Sequence, residues 1–279
     1  MSARGRALLR LTGAERGDRR GRPGPLRSGL VSITCLLRGV PLFFSTAPRT
    51  PLRTLCIVAL DTIHVLRHSQ PLSRQRRQEL ATFLDFQACT NALWDRKTLC
   101  AEEYQAQRQY LENAGLGPWI AEYVVRLREL ESRRPPVGGD RQRFDAVRSY
   151  REAVARLSLA TITAIALNAE DLDEGIRATD GDDDVASLFR MAMQCQIIDD
   201  VVDYDEDLRA GLPSFLTACA SLPQALSWTA EAARSYALAP GYSAGRSVLP
   251  VRVALHLVTA VTTMVIAVAG RRGARVSGG

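Results

Sequence analysis

From about residue 52 onward, apolar positions recur at three- and four-residue intervals, and the strict alternation that marks strands is almost absent. That rhythm predicts helices over 52–67, over 73–98 with Ser73 as N-cap, over 101–113 closed by Gly115, and over 118–134 before Pro135 and Pro136. A long amphipathic run covers 141–168. The acidic stretch 170–184 reads as a solvated loop whose carboxylates favour the start of the next helix, 184–208. Gly211 and Pro213 end that helix. Another helix opens at Ser221 and Pro223 and reaches residue 236, and 248–269 is the last. The final segment is apolar over about 17 residues, at the low edge for a membrane span. It reads as a buried helix of the bundle, with a transmembrane anchor and a surface-seeking helix as the alternatives.

The 184–208 helix carries the most informative pattern. Asp199, Asp203 and Asp207 recur every four residues and draw one slowly rotating stripe of carboxylates. Like charges at that spacing each cost roughly 0.2–0.5 kcal/mol, and acids near a helix C-terminus oppose the macrodipole. No basic residue sits among them; Arg209 comes only after the row. The same face upstream holds Gln196, Ala192, Phe189 and Leu188, so it is acidic at one end and apolar above. A merely solvated face would stay polar along its length. The mixture fits a cation site beside an apolar space, and hard oxygen ligands favour Mg²⁺ or Ca²⁺.

The block CQIIDDVVDYDEDLRAGLP resembles the second aspartate-rich motif of class I isoprenoid synthases, the superfamily of trans-prenyltransferases, squalene/phytoene synthases and terpene synthases. Prenyltransferases run FQxxDDxxDYxxDxxxxGKP here. The squalene/phytoene synthase pattern QxxNxxRDxxEDxxxG is matched at Gln196, Asp199, Asp203, Glu206, Asp207 and Gly211. Terpene cyclases space their ligands as Asp199, Asp203 and Asp207 are spaced. One departure is Leu212, which stands where the prenyltransferase GKP has its lysine.

The resemblance implies an all-α fold, a single isoprenoid-synthase-like bundle of roughly ten helices around a central apolar cavity with acids at its mouth. It implies a Mg²⁺-dependent enzyme acting on a prenyl diphosphate, with Asp199, Asp203 and Asp207 as catalytic metal ligands. A partner acidic helix is then expected about a hundred residues upstream. Asn91 and Asp95 hold the i and i+4 places of a DDxxD-like motif, Ala92 stands where a second aspartate belongs, and Asp85 is a further candidate. Diphosphate carries more charge than metal alone balances, so arginines should converge on it. The candidates are Arg96, Lys97, Arg148, Arg151, Arg156 and Arg209. Tyr150 with Val154 and Ala155 faintly resembles the YxxxVAG segment of squalene/phytoene synthases. Phe86, Trp94, Leu188, Phe189, Ala192 and Gln196 are the expected pocket residues.

Composition narrows the classes. With 279 residues and 46% apolar content the chain can bury one large core. Its net charge of +6 is matched by residues 1–28 alone, which hold eight arginines against Glu15 and Asp18. The rest is nearly neutral, so nucleic-acid binding is not expected. Residues 1–50 are read as a disordered arginine-rich extension, 51–270 as the domain and 271–279 as a tail. Six scattered cysteines with no CxxC pair argue against a disulfide framework or a zinc site and point to a cytoplasmic setting. Peripheral membrane contact and a homodimer stay open. Prenyl transfer or condensation is the expected reaction, with terpene cyclisation and a non-catalytic helical partner protein as alternatives.

Overall fold

A computed structural model of the chain describes residues 25–39, 51–96, 101–167, 169, 171–237 and 249–276. These form eleven helices: α1 (Pro25–Gly39), α2 (Pro51–His68), α3 (Arg74–Arg96), α4 (Ala101–Asn113), α5 (Gly117–Glu131), α6 (Arg141–Leu167), α7 (Leu172–Gly181), α8 (Asp183–Val202), α9 (Tyr204–Ala210), α10 (Leu222–Tyr236) and α11 (Leu249–Val276). Among the described residues there is no strand. The all-α expectation holds.

Short polar side chains start the helices where the pattern places them. The Arg76 N–H donates to Ser73 Oγ at 3.0 Å and the Arg143 N–H to Asp140 Oδ1 at 3.1 Å. Asp182 Oδ1 accepts from the N–H groups of Asp184 and Val185, opening α8. Each such cap is worth about 1 kcal/mol.

Four helices close a ring: α2 packs on α3, α3 on α6, α6 on α8, and α8 on α2. Inside and around that ring lie fully buried Ile57, Leu80, Phe83, Val147, Ala160 and Ile197. Phe83, Phe86 and Tyr123 meet edge-on or tilted, and Tyr104 stacks on Phe86 at 5.1 Å between ring centres. A second aromatic group joins Phe144, Phe215 and Trp228. α7 crosses α6 with almost no gap, because a Cβ on Gly175 would lie 2.3 Å from the Ala160 carbonyl oxygen.

Several expectations are corrected. Residues 25–39, placed in a disordered extension, form α1, which packs on α2 and buries Cys35; residues 1–24 and 40–50 lie outside the described residues. The acidic stretch 170–184, read as a loop, contains α7, whose first turn is capped by Asp171 accepting from the Glu174 N–H at 2.8 Å. Acids at a helix start favour a helix as readily as they favour solvent. The 184–208 helix is not continuous: Asp203, at φ −95° and ψ 13°, separates α8 from α9. The proposed tail begins inside α11, which runs to Val276. That last helix is not buried. Only 11% of its most apolar stretch is enclosed, since it packs by one face on α8 and α10.

Candidate functional site

The ring of four helices surrounds a cavity of about 480 Å³, within the roughly 300–1,000 Å³ typical of small-ligand sites. Helical spacing explains its walls. On α3 the lining residues Leu84, Ala88 and Asn91 follow one face; on α8 Leu188, Ala192, Cys195 and Asp199 do the same. Val154, Ala155, Ser158 and Ile162 of α6 and Arg53, Leu55 and Cys56 of α2 also line it. The apolar side chains come from the middle of α8, and the polar ones from its C-terminal turn. Leu188, Ala192 and Gln196, expected at a pocket, line this cavity together with Asn91 and Asp199.

Two of those polar groups are acceptors without donors. Asn91 Oδ1 and Gln196 Oε1 are buried and have no hydrogen-bond partner among the described residues. A buried acceptor left unmet costs about 1–3 kcal/mol, so both oxygens are open to a donor or cation that the described residues do not supply. Gln87, by contrast, donates to the Ser158 carbonyl at 3.2 Å and is accounted for.

Of the acid row, Asp199 lines the cavity, and Asp203 and Asp207 follow it at and beyond the helix break. Asp199 is exposed, and Asp203 and Asp207 are half-buried. Burial pushes the Asp207 carboxyl above its ordinary value; Arg151 and a Ser214 hydrogen bond oppose this, while Asp203 and Asp199 add to it. The three acids therefore share one electrostatic neighbourhood despite the helix break. They do not form a ready-made cage: among the described residues no three carboxylate, histidine or cysteine side chains converge on a metal position.

Arg151 is the hub of that neighbourhood. It donates to Asp200 Oδ1 at 3.1 Å. Burial alone would lower its pKa, but Asp200, Asp95, Tyr150 and Asp207 more than offset this and the net shift is upward. Acids from both suspected motifs thus gather around one guanidinium, whose Nε is buried and unpartnered. Of the arginines named as diphosphate candidates, Arg151 is the one that stands among these acids.

The others are elsewhere. Arg148 donates to Glu152, Tyr236 and Ser235. Arg156 lies 4.3 Å above the Phe189 ring, and Arg209 Nε donates to the Asp205 carbonyl within α9. Lys97 and the Arg96 side chain lie outside the described residues.

Two upstream acids are already committed to arginines. Asp85 pairs with Arg53 at 2.5 Å, both almost fully buried. Its position on α3 points it at the start of α2, where it forms this buried ion pair. Asp95 binds Arg134 at 2.7 Å, with Glu131 on the same guanidinium. The expected pocket aromatics are also corrected. Phe86 is enclosed in the aromatic core on the other face of α3, Trp94 is exposed, and Phe189 packs edge-on against Tyr236 instead of lining the cavity.

Asp200 and Arg134 were not singled out from sequence. Asp200 follows Asp199 by 100° of helix rotation, which carries it from the cavity edge into the interior. There its Oδ2 accepts from the Phe215 N–H at 2.7 Å and pins the buried turn after α9. The doubled aspartate flanked by Ile198 and Val201 was the available signal. Arg134 offered none, because its meeting with Asp95 depends on how α5 ends beside α3.

Comparison with protein-family models, with curated proteins and with solved structures finds no match in any of the three.

Proposed function

We propose that the protein is a Mg²⁺-dependent class I isoprenoid synthase that ionises an allylic prenyl diphosphate, acting by prenyl transfer or condensation. The observation that carries this reading is that Asn91 and Asp199, from two separate motif helices, line one end of a largely apolar cavity. The resemblance of the acidic block assigns that end to the diphosphate and the apolar end to the hydrocarbon chain.

The oxygens present suit the ion. Mg²⁺ keeps several waters and is commonly held by one or two carboxylates plus substrate phosphates, not by an all-protein cage. Asp199, with the unmet oxygens of Asn91 and Gln196, would hold it, and Asp203 and Asp207 flank the position. Bound there, the ion would act as a Lewis acid on the leaving diphosphate. Arg151 contributes a fixed positive charge toward the anion released. As the C–O bond breaks, its electron pair leaves with the diphosphate and an allylic cation remains. Leu188, Ala192, Val154 and Ile162 keep water from that cation. In transfer, the double bond of the second substrate attacks it, and the proton lost goes to diphosphate or solvent.

The test is incubation of the purified chain with Mg²⁺ and farnesyl or geranylgeranyl diphosphate, with and without isopentenyl diphosphate. Diphosphate release that requires the second substrate supports transfer. Release from one allylic substrate with a longer head-to-head product supports condensation; a cyclic hydrocarbon or alcohol indicates terpene cyclisation. No release with any combination favours the second reading, a helical partner protein without catalysis. The Asp95–Arg134 and Asp85–Arg53 pairs are what favour that alternative, since both occupy acids of the upstream motif.

A further inference from the structure

α11 is amphipathic in an unusual sense: both of its faces are apolar. Val251, Leu255, Thr262 and Ile266 turn inward, whereas Val253, Leu257, Val261, Met264 and Val268 are 42–63% exposed. Those five recur at intervals of four, four, three and four residues, one stripe along the outer side. Beside it, Leu30, Ile33 and Leu37 of α1 are still more exposed, at 57–67%. The two helices are in contact, and an apolar groove of about 470 Å³ lies between them, lined by Ile33, Val58, Val253, Ala254 and Leu257. Scattered exposed apolar side chains need no explanation, but a contiguous set on two adjoining helices marks a surface that meets something other than water.

Charge selects the occupant. α1 and α11 contain no aspartate or glutamate, while α11 carries Arg252 at its start and Arg271, Arg272 and Arg275 at its end. The chain just before α1, residues 1–24, holds seven arginines against Glu15 and Asp18. In a two-fold pairing the same patch meets itself, so arginines would meet arginines. Against lipid phosphates and carboxylates every one of those charges is complementary.

We propose that the outer face of α1 and α11 docks on the surface of a bilayer carrying anionic lipid. The exposed stripe enters the boundary between headgroups and acyl chains, and the exposed Arg271 at the end of α11 engages the headgroups. The inner face of α11 stays on α8 and α10, so the helix lies on the membrane instead of crossing it, although Pro250–Arg271 is long and apolar enough to span. Leu55 of α2 lines both the groove and the cavity of the candidate site. A bilayer on this face therefore stands one side chain away from that cavity, whatever the cavity binds.

The experiment uses the full chain and vesicles, with no substrate, so its outcome is independent of the proposed activity. Vesicles of phosphatidylcholine alone are compared with vesicles in which about one lipid in three is phosphatidylserine. The protein is expected to sediment with the anionic vesicles and to be released in part by high salt. Leu257→Asp with Met264→Asp, both on the exposed side, is expected to abolish sedimentation while circular dichroism and melting stay as in the wild type. Arg271→Gln is expected to weaken binding about fivefold. Equal sedimentation with both vesicle types, none with either, or unchanged binding by the double variant overturns the proposal. So does a dimer in light scattering that the double variant dissociates without any vesicle binding, which makes a second copy the occupant. Resistance to alkaline extraction from the vesicles overturns it in favour of a spanning helix.

Discussion

Arg151 donates to Asp200 at 3.1 Å, one residue past Asp199, the acid that reaches the cavity. Adjacent aspartates thus do different work. Burial pushes the Asp200 carboxyl up to about 6, with Arg151 and the Phe215 N–H opposing the rise. The folded chain keeps this proton at pH values where the unfolded chain has released it. Between the ordinary 3.8 and about 6 the folded state binds more protons. Stability from this group is therefore greatest at low pH and falls as pH rises through that window, by on the order of 3 kcal/mol. Asp200→Asn, which keeps an acceptor for Phe215, is expected to remove that slope. Urea denaturation of both proteins across the window measures it, and parallel pH profiles would reject the assignment.

Asp85 and Arg53 are both almost fully buried. Breaking such a pair from one side strands the other charge and costs roughly 3–5 kcal/mol. Asp85→Ala is expected to lose stability on that scale in chemical denaturation. Replacing both residues by leucine is expected to recover most of the loss. A single-variant cost under about 1 kcal/mol would mean that water reaches the pair.

Asp199 is exposed at the cavity edge, so its replacement should leave the fold nearly untouched, within about 0.5 kcal/mol. On the proposed function, Asp199→Ala lowers diphosphate release about a hundredfold or more, because charge stabilisation of the leaving group is lost. The outcome that counts against the site is wild-type release from a variant with an unchanged melting temperature.

Ala192 sits in the apolar wall of the cavity. Ala192→Phe is expected to shorten the space available to a hydrocarbon chain and to weaken binding of a long prenyl diphosphate more than a short one. Calorimetric titration of the two ligands reads the difference. Equal effects on both would place the chain elsewhere.

Gly175 lets α7 lie on α6. A Cβ there would sit 2.3 Å from the Ala160 oxygen and 2.9 Å from the Ala164 Cβ, both on one helix that cannot easily yield. Gly175→Ala is expected to cost roughly 1–3 kcal/mol as overpacking. A neutral melting temperature would show that α7 can lift away.

The helices were legible because each needs only local information. Three- and four-residue apolar spacing, Ser73, Asp140 and Asp182 at helix starts, and Gly211 at φ 66° after α9 act within a few residues of themselves. The places where local reading failed are places where a distant partner decides. Residues 25–39 read as part of an arginine-rich disordered extension until α2 supplies a surface for them. The acids of 170–184 look solvated until α6 offers Gly175 a place to pack.

The spacing within α3 and α8 already put Asn91 beside Ala88, and Asp199 beside Gln196 and Ala192, each group on one helical face. Periodicity fixes which side chains share a face of their own helix, because rotation per residue is a property of the backbone alone. Which acid is spent on an arginine, Asp85 on Arg53 or Asp95 on Arg134, depends on what stands opposite once the helices pack. The same holds for α11: its sequence shows an apolar helix, and only the bundle's closure around α8 and α10 leaves one side of it uncovered.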